Sequence, residues 1–345
     1  VTIFESDYKS FSTGKSDIKD NKERLFLCEV FSKEKKKLNI SCPFNYTGGK
    51  FKLLEQLQPL FNKKEVFLDL FAGGGNVGIN SSSSKVIFND LNEKLIDLIK
   101  FIKDTDTNIL LKQIDSIIDK YGLSNTSLYG YSYYDCDSSR GLAGYNKEKF
   151  LRLRDDFNAK VLAGETDYSM LYVLIVFSFN NQIRFNRKGL FNLPVGKRDF
   201  NSKMRSKLML FSEELKNKDV QFMKKDFKEI SLDDFSNETF IYCDPPYLIT
   251  NATYNESGMW TETEEKALLE FLDEANKKGF SFALSNVLES KNKRNDILYN
   301  WIESKGYYCY RLNKSYSNSN YHRKNKNSIS EEVLITNYPV DWRSE

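Results

Sequence analysis

Short apolar runs of β-forming residues recur along the chain, most of them ending at an acid or a small polar residue. Val66 to Phe71 leads into Ala72-Gly73-Gly74-Gly75-Asn76, and Lys85 to Asn89 closes on Asp90. Val220 to Met223 ends near Asp226-Phe227, and Phe240 to Cys243 stops at Asp244-Pro245-Pro246-Tyr247. Phe280 to Leu284 ends at Ser285-Asn286, and Tyr307–Leu312 and Glu332–Thr336 complete the series. The first runs are apolar without alternation, the mark of strands covered on both faces, as parallel strands are. Between them the period changes to that of helices. Asn92 caps a stretch whose apolar face is Leu95, Leu98, Ile99 and Ile102. Thr261 and Glu264 form a capping box ahead of Ala267, Leu268, Phe271, Leu272 and Ala275. Further helices are expected through Leu53, Leu54, Leu57 and Leu60, near Lys203–Leu215, and through Ile297, Leu298, Trp301 and Ile302. This alternation predicts an α/β fold with a mostly parallel sheet.

The spacing of the runs is uneven. Asp90 and Asp244 lie about 150 residues apart, whereas a βαβ step takes roughly 30 residues or more. An inserted domain accounts for the excess. The expected organisation is an extension over residues 1–43, a catalytic domain over 44–105 and 203–340, and an insert over 106–202. The insert reads as largely helical over 107–180, with an irregular Tyr-, Ser- and Gly-rich loop from Gly122 to Gly144. Alternation on either side of Arg187-Lys188-Gly189 then predicts a β-hairpin. Residues 1–37 are polar and read as a weakly ordered extension, or as a small helix around Arg24 to Phe31.

Composition narrows the class without choosing a function. With 345 residues the chain is long enough for a large core, and its net charge of +3 permits nucleic-acid binding without requiring it. Five scattered cysteines without CxxC spacing and a single histidine, His322, support no metal site. Reduced cysteines, no apparent signal segment and no apolar run longer than Met170–Phe179 point to a cytoplasmic protein away from the membrane.

Candidate chemistry sits at the strand ends, where open α/β sheets bind ligands. The turn at Asp69, Phe71, Ala72, Gly73 and Gly75 lets a ligand approach the backbone, and Asp90 suits the paired hydroxyls of a ribose. Three consecutive glycines are not the GxGxxG pattern, which disfavours a dinucleotide and a NAD-dependent oxidoreductase. At Asp244-Pro245-Pro246-Tyr247 the two prolines stop the strand and stiffen the loop. Asp244 and the Pro245 carbonyl could then accept the two N–H groups of an exocyclic base amine. Tyr247 could stack on a base taken out of its helix. Without further context a Pro-Pro turn capped by an acid explains the tetrapeptide about as well. In the predicted hairpin, Arg184, Asn186, Lys188 and Lys197 interleave with aromatics, as in an element that reads a groove, although a solvated charged hairpin looks similar.

The order of these motifs resembles the alpha group of DNA adenine-N6 methyltransferases, the Dam-like enzymes, over about residues 44–337. The matching pieces are Tyr46-Thr47-Gly48-Gly49-Lys50, Asp69 to Gly75, Asn89-Asp90, Arg184-Phe185-Asn186 with Gly189 to Gly196, and Asp244-Pro245-Pro246-Tyr247. The resemblance implies a Rossmann-like methyltransferase sheet of about seven strands binding S-adenosyl-L-methionine. It implies that Tyr46, Lys50, Asp90, Asp244 and the Asp226-Phe227 pair line the cofactor site, and that the insert recognises double-stranded DNA. By position, Phe179 matches an aromatic that wedges between bases, with Asn180 beside it as a further DNA-binding residue, and Arg184 matches a guanine reader. It also implies a restriction–modification system with a cognate endonuclease as partner. Asn181-Gln182 stand where a glycine and an apolar residue are usual, and Tyr46 where tryptophan is common, so GATC is not carried over as the target.

Other readings remain open. An RNA adenine-N6 methyltransferase uses the same tetrapeptide, and a non-catalytic DNA-binding subunit could keep the fold. N4-cytosine methylation usually has Ser in place of Asp244. C5-cytosine chemistry needs a thiolate after a proline, and no Pro-Cys dipeptide occurs.

Overall fold

The computed structural model describes residues 38–249, 260–290, 293–312 and 331–340. Chain contacts divide it into two units, residues 1–39 and 40–345, and the second holds the sheet and its helices. The expected helix at Arg24–Phe31, most of the polar, aromatic stretch from Leu248 to Trp260, and the basic stretch Lys314–Lys326 with His322, both expected from sequence to be loops, lie outside the described residues.

The sheet contains β1 (Val66–Asp69), β2 (Lys85–Asn89), β3 (Asp219–Met223), β4 (Thr239–Cys243), β5 (Ser281–Ser290), β6 (Lys293–Arg294), β7 (Tyr308–Leu312) and β8 (Glu331–Thr336). The strand order is β3-β2-β1-β4-β5-β8-β7, with the two-residue β6 paired to β5. The pairs from β3 through to β5 are parallel, and β8 runs antiparallel to both β5 and β7. This is the mostly parallel sheet that the apolar runs predict, in the Rossmann-like form that the resemblance implies. The order reverses between β1 and β4. Their carboxyl ends, Asp69 and Cys243, therefore flank the switch point where such sheets hold ligands.

Burial explains why the strands lack alternation. Phe67, Val86, Phe88, Phe240 and Tyr242 enter one core, and Leu68, Ile87, Ile241 and Cys243 enter another on the opposite face. The first core is covered by α1 (Glu93–Asp104), α2 (Thr107–Tyr121), α3 (Ala143–Leu162), α4 (Tyr168–Phe177) and α5 (Ser202–Asn217). The second is covered by α6 (Glu262–Lys277) and α7 (Asp296–Lys305). Asn92 and the Thr261–Glu264 box cap α1 and α6 as the sequence predicts.

Residues between β2 and β3, read from sequence as an insert, share the first core with the sheet. Ser169 through Phe177 of α4 are all buried, which is where a helix apolar on every side belongs. The same core takes Phe150 and Phe157 of α3, and Phe191 and Leu193 from beyond it.

Two local expectations need correction. The segment after Lys50 is not one helix; it steps through two 3-10 turns around a single α turn, with Pro59 near the start of the last. The hairpin at Arg187-Lys188-Gly189 forms no regular strands. Its arms meet at the Phe185–Phe191 bridge, and Gly189 takes a positive φ of 72° in the turn. Asn186 Oδ1 accepts the N–H groups of Lys188 and Leu190, while Asn158 engages both backbone groups of Phe191. Side chains thus take over bonds that a ladder would otherwise make.

Candidate active site

The glycine turn is shaped by its neighbours. Ala72 N–H donates to Asn89 O, and Gly75 N–H donates back to Ala72 O. Gly73 has φ +51°, and a Cβ there would come within 2.8 Å of the Tyr46 ring. Only glycine lets that ring lie against the turn. Gly73 N–H also donates to Asp90 Oδ2 at 2.8 Å, and Asn92 N–H donates to Asp90 Oδ1 at 2.9 Å. Asp90 is therefore held by its backbone neighbours, and burial pushes its carboxyl above the usual carboxylate range. Asp69 lies under the turn, where its Oδ2 accepts Gly78 N–H at 3.0 Å and burial raises its carboxyl to about 8. Gly75 supports the turn from the core side, its missing Cβ facing Phe88.

The end of β4 carries the densest chemistry. Lys50 Nζ lies 2.6 Å from the Asp244 carboxylate and 2.9 Å from Gly48 O, with only 2% of its side chain exposed. Tyr247 Oη donates to Asp244 Oδ1 at 2.8 Å and lies 3.3 Å from Glu332 Oε1. Glu332, at the start of β8, is buried and 3.6 Å from Lys50 Nζ. Lys50 also sits over the Tyr247 ring at 5.1 Å. Burial raises the Asp244 carboxyl, while Lys50 and the Tyr247 hydroxyl pull it back down.

These parts line one cleft of about 560 Å³, which brings together Tyr46, Lys50, Phe71, Asp90, Asp226, Phe227 and the Asp244–Tyr247 tetrapeptide. A smaller adjoining recess adds Asp69, Ala72 and Gly73. Phe71, Phe227 and Trp260 form an aromatic wall, with ring centroids 5.6 to 5.9 Å apart. Trp260 is fixed by its Nε1 donating to Glu265, a fully buried carboxylate that also accepts from Asn286 and Asn295. The donor set fits a ligand with vicinal hydroxyls at Asp90, a flat heteroaromatic end at the wall, and a charged tail near Lys50. Among the described residues no group of side chains could hold a metal ion, and no helix is long and apolar enough to cross a membrane.

The residues singled out in the insert lie outside this cleft. Phe179 is half exposed on a knuckle where Asn180 and Asn181 both take positive φ, near 56° and 53°. Asn45, next to Tyr46, braces that knuckle by donating to Asn180 O and Asn181 O. Arg184 is exposed and its guanidinium lies along Asn192, while the Asn186 side chain is occupied in forming its own turn. Lys188 and Lys197 are exposed.

Glu332, Glu265 and Asn45 carry no prediction from sequence. Glu332 reaches the site because β8 is antiparallel, so its amino end lies beside the carboxyl ends of the parallel strands. No residue pattern announces that reversal.

Known proteins place this architecture. The chain is 39% identical over 306 residues to the modification methylase StsI of Streptococcus sanguinis, covering 87% of this chain and 43% of that protein. It is 38% identical over 330 residues to the type II methyltransferase M.FokI of Planomicrobium okeanokoites, covering 94% and 46%. A DNA adenine methylase of Haemophilus influenzae is 28% identical over 255 residues, covering 71% and 79%. The chain thus spans about half the length of the first two. The family described as D12 class N6 adenine-specific DNA methyltransferase matches residues 46–318, from the Tyr46 turn past β7, and the chain belongs to that family.

Proposed function

We propose that this chain transfers a methyl group from S-adenosyl-L-methionine to N6 of an adenine flipped out of double-stranded DNA. The observation that carries the proposal is the Lys50–Asp244–Tyr247 cluster opening onto the cleft at the switch point of the sheet. When bound, S-adenosyl-L-methionine supplies an electrophilic methyl group on a sulfonium. Asp90 would hold its ribose hydroxyls, Phe71, Phe227 and Trp260 its adenine, and Lys50 with Gly48 O its charged tail.

The chain's own residues supply the rest. The N6 lone pair of adenine is delocalised into the ring, so the amine is a weak nucleophile. Asp244 and the Pro245 carbonyl accept its two N–H groups and turn the lone pair toward the methyl group. The prolines keep those acceptors fixed, so the geometry is formed before the base arrives. Tyr247 stacks on the extruded ring. Phe179 and Asn180 fill the gap left in the duplex, and residues 106–202 recognise the target. The names of the modification methylase StsI and the type II methyltransferase M.FokI support a restriction–modification setting, and the reading places the chain in the cytoplasm beside an endonuclease of the same site.

The test is direct. Purified protein, cofactor and duplex DNA are incubated, and the DNA is then digested to nucleosides. N6-methyldeoxyadenosine is expected. Methylated cytosine, or product only from an RNA of the same sequence, would replace this reading.

For the hairpin, the expected contrast lies between Arg184 and its lysines. Arg184→Ala should lose about 1–3 kcal/mol at one base pair and relax the preference there. Lys188→Ala or Lys197→Ala should weaken binding to cognate and scrambled duplexes alike, and lower the salt slope by about one unit. Binding curves at several salt concentrations separate the two. Equal losses on both duplexes for Arg184→Ala would make the hairpin a phosphate clamp.

A further inference from the structure

Glu332 stands beside the Lys50–Asp244–Tyr247 cluster. In the structure both Asp244 oxygens are engaged: the Lys50 ammonium lies 2.6 Å from each, and Tyr247 Oη donates to Oδ1 at 2.8 Å. A base amine that bonds to Asp244 must therefore displace or share one of these donors. In a buried pocket a displaced ammonium or hydroxyl needs another acceptor close by, because an unpaired buried donor is strongly destabilising. Glu332 Oε1 stands 3.6 Å from Lys50 Nζ and 3.3 Å from Tyr247 Oη, so it faces both donors at once. Its backbone is fixed by pairing with Val287 of β5 and Leu312 of β7.

We propose that Glu332 is a positioning residue for methyl transfer: it takes over Lys50 and the Tyr247 hydroxyl as the target amine engages Asp244. The proposal rests on the methyltransferase reading and adds a second carboxylate to it. The movement needed is under an ångström for Lys50, from 3.6 Å to hydrogen-bond distance. Tyr247 already lies between the two carboxylates. Glu332 acts through these neighbours and is not asked to touch the base.

The same geometry gives a signature that a purely structural role lacks. Asp244 is faced by Lys50, by Tyr247 and Tyr242, by Asp69 under the glycine turn, by Cys243 behind it, and by Glu332. Among the charged groups Lys50 lowers the Asp244 carboxyl and Glu332 raises it. Removing the Glu332 charge must then move the ionisation of Asp244 to lower pH. The ionised carboxylate is the useful form, so the acid limb of kcat/KM should move to lower pH as well.

The variant for the test is Glu332→Gln, which keeps the shape. Single-turnover methylation of duplex DNA should fall about tenfold to a hundredfold. Cofactor affinity and DNA affinity should stay within about threefold of wild type, while the acid limb shifts down. Glu332→Asp should recover part of the rate. Isotope-edited infrared titration of the aspartate carboxyls, with Asp244→Asn to identify the band, should show the same downward shift without substrate. An unchanged rate with an unmoved limb overturns the proposal. So does a rate loss that follows falling thermal stability while the Asp244 band stays in place. Wild-type protein that methylates no DNA would instead remove the methyltransferase reading, and the infrared shift would still report whether Glu332 is coupled to Asp244.

Discussion

Asp244→Ala should reduce methyl transfer by at least about a thousandfold, equivalent to roughly 4 kcal/mol of barrier. Two losses combine in that number. The target amine loses the acceptor that turns its lone pair toward the methyl group. Lys50, with 2% of its side chain exposed, loses a carboxylate 2.6 Å away, leaving Glu332 as its nearest anion among the described residues. Breaking a buried pair from one side typically costs about 3–5 kcal/mol, and Glu332 should spare part of it. A lower melting temperature is therefore expected alongside the lost activity. Asp244→Asn separates the two effects, since it keeps the shape and one acceptor oxygen but not the charge. Tyr247→Ala should lose about 1–3 kcal/mol of stacking, whereas Tyr247→Phe should remain largely active. Radiolabelled methyl incorporation under single-turnover conditions checks all four variants. A near-wild-type rate in Asp244→Ala would remove the proposed mechanism.

Much of this site is legible because its parts are local. A buried parallel strand announces itself by a run such as Phe240-Ile241-Tyr242-Cys243, and two prolines after Asp244 announce where it stops. The glycine turn and Asp90 are likewise read from neighbours within a few residues. The resemblance adds what local pattern cannot. Lys50 and Asp244 are 194 residues apart in the chain, and nothing in either stretch alone says that they meet.

The less legible parts depend on orientation and on competition between side chains and backbone. β8 has the composition of any buried strand, so its antiparallel course is hidden, and with it the arrival of Glu332 beside Tyr247. β5 continues four residues past Asn286, to Ser290, because β8 and then β6 pair with its outer half. The alternating Arg, Asn and Phe of 184–192 promise a ladder. Asn186 and Asn158 satisfy the backbone instead and draw Phe191 into the core. The extra chain length suggests an insert over 106–202. It gives no sign that α3 and α4 bury their apolar faces in the same core as the sheet.

Asp90→Ala should raise the dissociation constant for S-adenosyl-L-methionine by about tenfold to 150-fold. The expectation starts from the roughly 1.5–3 kcal/mol of a hydrogen bond to a charged group. The structure pushes it toward the upper end, because Asp90 also accepts the N–H groups of Gly73 and Asn92. Without it the glycine turn loses its brace just where Gly73 meets the Tyr46 ring. Asp90→Asn retains an acceptor for Gly73 but loses the charge, and should fall between wild type and alanine. Burial raises the Asp90 carboxyl, and the ionised form is the one that binds hydroxyls. Cofactor affinity should therefore weaken as pH falls, beginning above the range where an ordinary carboxylate protonates, and Asp90→Asn should flatten that dependence. Calorimetry across pH measures both effects. DNA affinity measured without cofactor should change little, since Phe179, Arg184, Lys188 and Lys197 lie outside the cleft that Asp90 lines. Should DNA binding collapse while cofactor binding holds, the division of labour between the cleft and the insert would have to be reversed.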